Sequence, residues 1–215
     1  MANIYLLKLF EPAGDEYIKM LDLVGQERKN KILSIKNNKN RLQTLFADVL
    51  LRAVLCTSFG FNNRNLVFEK DSNGKPYLNE RQVHFNISHS ENMVAVAVSD
   101  RDIGIDLEKA RQVNPKLTER YFSEKENEYI SVKNENWQTR FFEVWTKKEA
   151  ILKRSGLGLR VELNKLETFE YEFVKTYNVD EFVLSVCCEN QNVSIINNEQ
   201  SYSIICKFIN DYNNV

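Results

Sequence analysis

Residues 41–59 read RLQTLFADVLLRAVLCTSF. Apolar side chains fall at Leu42, Leu45, Phe46, Val49, Leu50, Ala53 and Val54, the i, i+3, i+4 recurrence of a helix that lays one face on a core. The flanking sequence says what lies beneath it. Upstream, residues 3–10 (NIYLLKLF) have the apolar density of a strand, and 26–39 (QERKNKILSIKNNK) predict a basic helical stretch. Downstream, DSNGKP (71–76) is turn chemistry, followed by extended stretches at 84–87, 93–99 and 103–107. A long helix packed on a small sheet is therefore expected of the first half.

The second half repeats this plan, with helices predicted at 118–132 and 139–155 and strands at 169–177, 180–188 and 201–208. ENMVAVAVSD (91–100) and DEFVLSVCCE (180–189) share acidic and polar ends around a strand-like apolar middle, which points to internal duplication. The expected fold class is α+β, a pseudo-dimer of two similar α/β halves, 1–103 and 104–215. Each half is read as a small antiparallel sheet packed on a long helix, with the active site in the crevice between them, where pockets concentrate.

At 215 residues the chain can bury a core without help from disulfides or metals. A content of 43% hydrophobic and 27% charged residues fits a globular chain rather than a disordered one. Lys plus Arg (29) nearly cancels Asp plus Glu (30), so general nucleic-acid binding is not expected. Neither a signal-peptide pattern nor an apolar run of about 18 residues is read from the sequence, so the expectation is a cytoplasmic protein that does not enter the membrane. Cys56, Cys187, Cys188 and Cys206 have no CxxC spacing and read as reduced, small apolar residues.

The chemistry begins in IGIDLEK. If this segment is extended, its alternation projects Asp106 and Glu108 from one face and turns Leu107 into the core. A solvated strand end is the ordinary meaning of such a pair. Two like charges become useful when a cation joins them, and hard carboxylate oxygens suit Mg²⁺. In FFEVWTKKEAILKRSG, Lys148 and Glu149 fall inside the arc marked by Phe142, Trp145, Ile151 and Leu152, with Lys153 at its edge. A surface Glu149–Lys153 pair is the plain account of these charges, and a cleft-lining carboxylate and cation the functional one.

His89 follows an apolar strand in FNISHS, where a packing histidine is the default. His84, five residues earlier, gives no metal-binding spacing. Arg28 and Lys31 share a helix face suited to an anion, or simply to solvent. Lys75 occupies a turn, as a phosphate-facing cation or an ordinary surface lysine.

Taken together, GKP (74–76), FNISHS (85–90), IGIDLEK (103–109), YFSEKE (121–126) and WTKKEAILK (145–153) occur in the order found in one family. The chain resembles the 4'-phosphopantetheinyl transferase superfamily in its larger, pseudo-dimeric, Sfp-type form, the class that activates surfactin synthetase. The resemblance spans most of the chain. It implies an enzyme that transfers the phosphopantetheine arm of coenzyme A to a serine of an apo acyl, peptidyl or aryl carrier protein and releases 3',5'-ADP. This activity serves secondary-metabolite, fatty-acid or polyketide biosynthesis.

By motif, the resemblance implies Asp106, Glu108 and Glu149 as Mg²⁺ ligands. Arg28, Lys31 and His89 are implied to hold the adenosine end and 3'-phosphate of coenzyme A. Lys75, Pro76, Ser88 and Lys153 fall near its nucleotide or diphosphate, and Asp106 and Glu149 are counted among the same contacts. Lys153 is implied to stabilise departing 3',5'-ADP, and Glu149 to act as general base, directly or through water. Glu126 is a second candidate base, although Ser123 and Glu126 also form the pattern of a plain capping box.

Gln43, with Arg41 two residues earlier, replaces an arginine common in the family, and Arg28 replaces a frequent lysine. The segment beginning RSGLGLRVEL (154–163) resembles the region that grips the acidic carrier protein, through Arg154 and Arg160. Two similar halves in one chain make a monomer the expected state. Two other functions remain open: a non-catalytic coenzyme A or nucleotide-binding regulator, and a Mg²⁺-dependent phosphatase.

Overall fold

The computed structural model describes residues 1–79, 83–133, 135–158, 161–190 and 192–213. The chain runs β1 (Ala2–Lys8), α1 (Gly14–Leu23), α2 (Gln26–Ser34), α3 (Asn38–Phe59), β2 (Phe68–Lys70), β3 (Pro76–Leu78), β4 (His84–Ser90), β5 (Met93–Ser99) and β6 (Ile103–Lys109). It continues through α4 (Lys116–Tyr121), α5 (Glu124–Ile130), α6 (Trp137–Ser155), β7 (Val174–Val179), β8 (Phe182–Cys188), β9 (Val193–Ile196) and α7 (Asn198–Asn213).

Two sheets carry the architecture, one ordered β4-β5-β1-β9 and the other β6-β8-β7, with β2 and β3 forming a separate ribbon. The duplication is visible in the pairing. In the first half β5 lies between β1 and β4, and in the second β8 lies between β6 and β7, all antiparallel. The two apolar stretches with the same outline are therefore the two central strands. Each is entered through a two-residue hairpin whose first residue, Glu91 or Asp180, has φ 51°.

The sheets pack face to face. Ile4, Leu6, Ala95 and Ala97 of the first meet Ile105, Leu107, Leu184 and Val186 of the second in one buried cluster. The opposite face of the first sheet, with Leu7, Val94, Val96 and Phe85, packs under α3. The outer face of the second sheet carries α6, whose Thr146 hydroxyl meets Ser185 of β8 at 2.7 Å. The order through the molecule is thus helix, sheet, sheet, helix.

Helix α3 corrects two expectations. Its burial is not one face: Leu45, Phe46, Val49, Leu50, Ala53, Val54 and also Leu51 and Leu55 are enclosed. It is also apolar and long enough to span a membrane, with mean hydropathy 1.4, yet 72% of that stretch is buried within the protein. Helices α1, α2 and α7 and strand β5 surround it, so the apolar content serves the core.

The end of the chain departs from the repeat. Residues 201–208, expected as a strand, lie in α7. Ser201, Ile205, Phe208 and Ile209 are buried at helical spacing, and α7 packs on α3 and β1. Strand β9 joins β1 in parallel, so the last elements return to the first layer and make its sheet mixed. The helix expected over 118–132 is two helices. Phe122 is extended, and Ser123 opens α5 with a reciprocal capping box to Glu126. All four cysteines are free, with Cys187 and Cys188 buried.

Candidate functional site

Strand β6 sets the site. Ile103, Ile105 and Leu107 face the inter-sheet core, so Gly104, Asp106 and Glu108 face outward toward α6. Helix α6 lies directly on Gly104. A Cβ there would stand 2.1 Å from the carbonyl oxygen of Ala150 and 2.3 Å from the amide nitrogen of Arg154. This backbone approach brings Lys153 over Asp106, with Nζ to Oδ1 at 2.7 Å.

Strand β4 supplies the third wall. Ser88 Oγ donates to Asp106 Oδ1 at 2.9 Å and accepts from Lys153 Nζ at 3.1 Å. It also accepts the Leu107 amide N–H at 3.1 Å. Asn86 Oδ1 and Ser90 Oγ accept from the Ile105 and Lys109 amides in the same way, at 3.0 and 3.2 Å. The free edge of β6 is therefore satisfied by side chains of β4. Sequence reading passed over Asn86 and Ser90. The signal was the alternation in FNISHS, where Phe85 and Ile87 pack toward α3 while positions 86, 88 and 90 carry polar groups.

The carboxylates are electrostatically crowded. Burial pushes the Asp106 carboxyl above its usual range, against the opposing pull of Lys153 and Ser88. Glu149 is raised by burial and then by the nearby charges of Asp106 and Glu108. Of the two accounts of this charge, the surface pair with Lys153 is not made, because Lys153 goes to Asp106 instead. Glu108 Oε2 accepts from Ser90 Oγ at 2.8 Å and from Arg111 Nη1 at 3.0 Å.

As the side chains stand, no three His, Cys, Asp or Glu groups among the described residues lie together as a metal cluster. Lys153 and Arg111 draw two of the carboxylates instead. The donor set nevertheless fits a hard divalent cation. Asp106 Oδ2 is buried with no hydrogen-bond partner, and the charges of Asp106 and Glu108 both act on Glu149, the third acid of the set.

Lys75 and Pro76 line a neighbouring cleft of about 390 Å³ with His84, Asp102 and Ser155. Asp106, Glu108 and Glu149 do not line it. The two places are linked by the hydrogen bond from Lys75 Nζ to the Arg154 carbonyl, 2.7 Å, one residue beyond Lys153. Burial lowers the Lys75 pKa. His84 Nδ1 lies 2.9 Å from Asp102 Oδ1. His89 is exposed on the α3-side face of β4, with its pKa lowered by partial burial and then by the Lys153 charge.

The remaining predicted residues are dispersed. Arg28 on α2 is bound to the buried Asp48 of α3, and Lys31 is exposed with no ion pair among the described residues. Neither is hydrogen-bonded to the Asp106 cluster. Gln43 is buried and donates to the Glu91 carbonyl at 2.8 Å, holding the β4–β5 turn, while Arg41 bonds Asn38 at 2.6 Å. Arg154 is engaged by Glu189 at 2.5 Å and lies over the Phe173 ring. Arg160 lies outside the described residues.

Glu126 is excluded as a base in this site. It is fully buried and paired with the equally buried Lys148 at 2.6 Å, and its other oxygen accepts from the Thr168 amide and hydroxyl. Lys148 also donates to the Leu163 carbonyl at 2.7 Å and to the Leu166 carbonyl, tying residues 163–168 to α6. Lys148→Met would leave a buried charge alone and is expected to cost about 3 kcal/mol in urea unfolding. Adding Glu126→Gln, which removes the stranded charge and keeps an acceptor for the Thr168 donors, should recover part of that loss. Equal losses in the single and double variants would contradict the pairing.

Comparison with known proteins adds an independent line. A family model described as 4'-phosphopantetheinyl transferase, N-terminal, matches residues 8–101, and one described as 4'-phosphopantetheinyl transferase superfamily matches 102–202. A 4'-phosphopantetheinyl transferase of Bacillus subtilis is 30% identical over 193 residues, covering 81% of this chain and 86% of the relative. The 4'-phosphopantetheinyl transferase gsp of Aneurinibacillus migulanus is 34% identical over 142 residues, 66% of this chain and 60% of the relative. The 4'-phosphopantetheinyl transferase Sfp of Bacillus subtilis (strain 168) is 27% identical over 204 residues, 86% and 91% respectively.

Proposed function

Because this chain belongs to the 4'-phosphopantetheinyl transferase superfamily, in its Sfp-type branch, and is a transferase, we propose the following reaction for it. It moves the 4'-phosphopantetheine arm of coenzyme A onto a serine of an apo acyl, peptidyl or aryl carrier protein and releases 3',5'-ADP, with Mg²⁺ as cofactor. The supporting observation is the acidic junction of β4, β6 and α6. There a buried Asp106 oxygen lacks a partner while Lys153 and Ser88 hold the other.

Asp106, Glu108 and Glu149 would hold Mg²⁺, which when bound neutralises a diphosphate beside acidic side chains and stabilises charge on the phosphate under attack. Lys75 and Pro76 in their cleft, with Ser88 on β4, take the nucleotide or its diphosphate, and His89 joins the residues at the adenosine end. Arg28, fixed in orientation by Asp48, and Lys31 supply cationic contacts to the 3'-phosphate.

The carrier serine oxygen attacks the β-phosphorus as the bond from that phosphorus to the 3',5'-ADP oxygen breaks. Glu149 accepts the hydroxyl proton, directly or through a water. Lys153 stays with the departing ADP, its flexible stem allowing the ammonium to pass from Asp106 to a phosphate oxygen.

The test incubates the protein with coenzyme A, Mg²⁺ and an apo carrier domain and weighs the carrier. A gain of one phosphopantetheine arm is expected. Nucleotide release with an unmodified carrier would establish the phosphatase instead, and coenzyme A binding without turnover would establish the regulator.

A further inference from the structure

We propose that Ser90 is a positioning residue that aims Glu108 into the acidic junction. The inference rests on the reading of Glu108 as a cation-facing carboxylate and assigns a residue that the family motif reading left without a role. Ser90 is buried at the end of β4, and its hydroxyl has two partners on β6. It accepts the Lys109 amide N–H at 3.2 Å and donates its single proton to Glu108 Oε2 at 2.8 Å.

The chemistry of a hydroxyl makes this arrangement directional. With a main-chain N–H already pointing at its lone pair, the hydroxyl best satisfies a neighbouring carboxylate by donating to it. Arg111 Nη1 reaches the same Oε2 at 3.0 Å while also bonding the Lys109 carbonyl and lying over the Phe142 ring. Both donors therefore converge on one oxygen. Glu108 Oε1 has no hydrogen bond among the described residues and is the oxygen left to present. Ser88 treats Asp106 identically two residues earlier, binding Oδ1 and leaving the buried Oδ2 unpartnered.

Asn86 separates positioning from lacing. It accepts the Ile105 amide just as Ser90 accepts that of Lys109, and among the described residues it makes no hydrogen bond to a carboxylate. Removing either side chain unlaces one edge amide of β6, but only Ser90 also releases an acid. Outer-shell groups that orient ligands commonly change metal affinity 10–100-fold.

The experiment titrates Mn²⁺ alone into the full chain, following the loss of free-ion signal by electron paramagnetic resonance. Circular dichroism melting is recorded on the same samples. Ser90→Ala is expected to weaken Mn²⁺ binding roughly tenfold, with Ser90→Thr restoring it because the hydroxyl is retained. Asn86→Ala is expected to lower the melting temperature while binding Mn²⁺ as the wild type does. If Glu108→Gln weakens Mn²⁺ binding but Ser90→Ala does not, the positioning role is overturned and the metal reading survives. Wild-type Mn²⁺ affinity in Glu108→Gln would remove the metal reading, and this proposal with it.

Discussion

Gly104→Ala is expected to reduce transfer roughly a hundredfold or more, because it moves the catalytic helix by on the order of 1 Å. The atoms that an added Cβ meets are all main chain: the Ala150 carbonyl oxygen at 2.1 Å, the Arg154 nitrogen at 2.3 Å and the Arg154 Cα at 2.9 Å. No rotamer change relieves such contacts. Relief requires α6 to lift from β6, and α6 carries both Glu149 and Lys153. The lift would lengthen the Lys153–Asp106 pair, now 2.7 Å, and open the packing around Thr146 and Ser185. Overpacking of this kind costs on the order of 3 kcal/mol. Urea unfolding and carrier-modification rates on the same variant check both effects. Wild-type stability together with wild-type rate would mean that α6 does not rest on Gly104 in solution.

The second large effect is expected at Glu149. Glu149→Gln keeps size and shape but removes the proton acceptor and one acidic ligand candidate. Carrier modification should fall by on the order of a thousandfold while the protein stays folded, within the range of an essential acid–base group. Stability should move the other way. Burial and the charges of Asp106 and Glu108 raise the Glu149 pKa above its ordinary 4.5. The unfolded chain therefore releases this proton at a lower pH than the folded one does. Stability is lost as pH rises from about 4.5 through the raised folded value, and none of this loss is present below that window. In chelator-containing buffer, Glu149→Gln should match the wild type near pH 4 and exceed it at neutral pH. Urea midpoints at the two pH values test the sign, and a variant less stable at neutral pH would refute the crowding of these carboxylates.

Much of this site was legible before folding. The alternation in IGIDLEK places Asp106 and Glu108 on one face with Leu107 inward, because strand side chains alternate irrespective of what packs on them. The spacing in WTKKEAILK likewise puts Glu149 and Lys153 on one stripe of α6. Partner choice was not legible. Lys153 joins Asp106 rather than Glu149, although an i, i+4 partner was available, because α6 rests directly on β6 at Gly104.

Local periodicity misled where burial came from two directions. Residues 201–208 hold enough apolar character for a strand, and only their packing against α3 and β1 selects a helix. Lys148 and Glu126, twenty-two residues apart, looked like a helix-face anomaly and a capping residue. The cap is real, but the pair also forms the buried hub that ties residues 163–168 to α6.

The sequence by itself determined the two-layered repeat, the identity of the charged residues and the faces of β6 and α6 that they occupy. These follow from helix and strand periods that are properties of the local chain. Tertiary structure decided which oxygen of each acid is held and which is left open, and how closely the helix stands above the strand. Those depend on Gly104 lacking a side chain beneath Ala150, and on β4 offering Ser88 and Ser90 to an edge that has no main-chain partner there. Such contacts join residues far apart in the chain, and no local pattern encodes their distances.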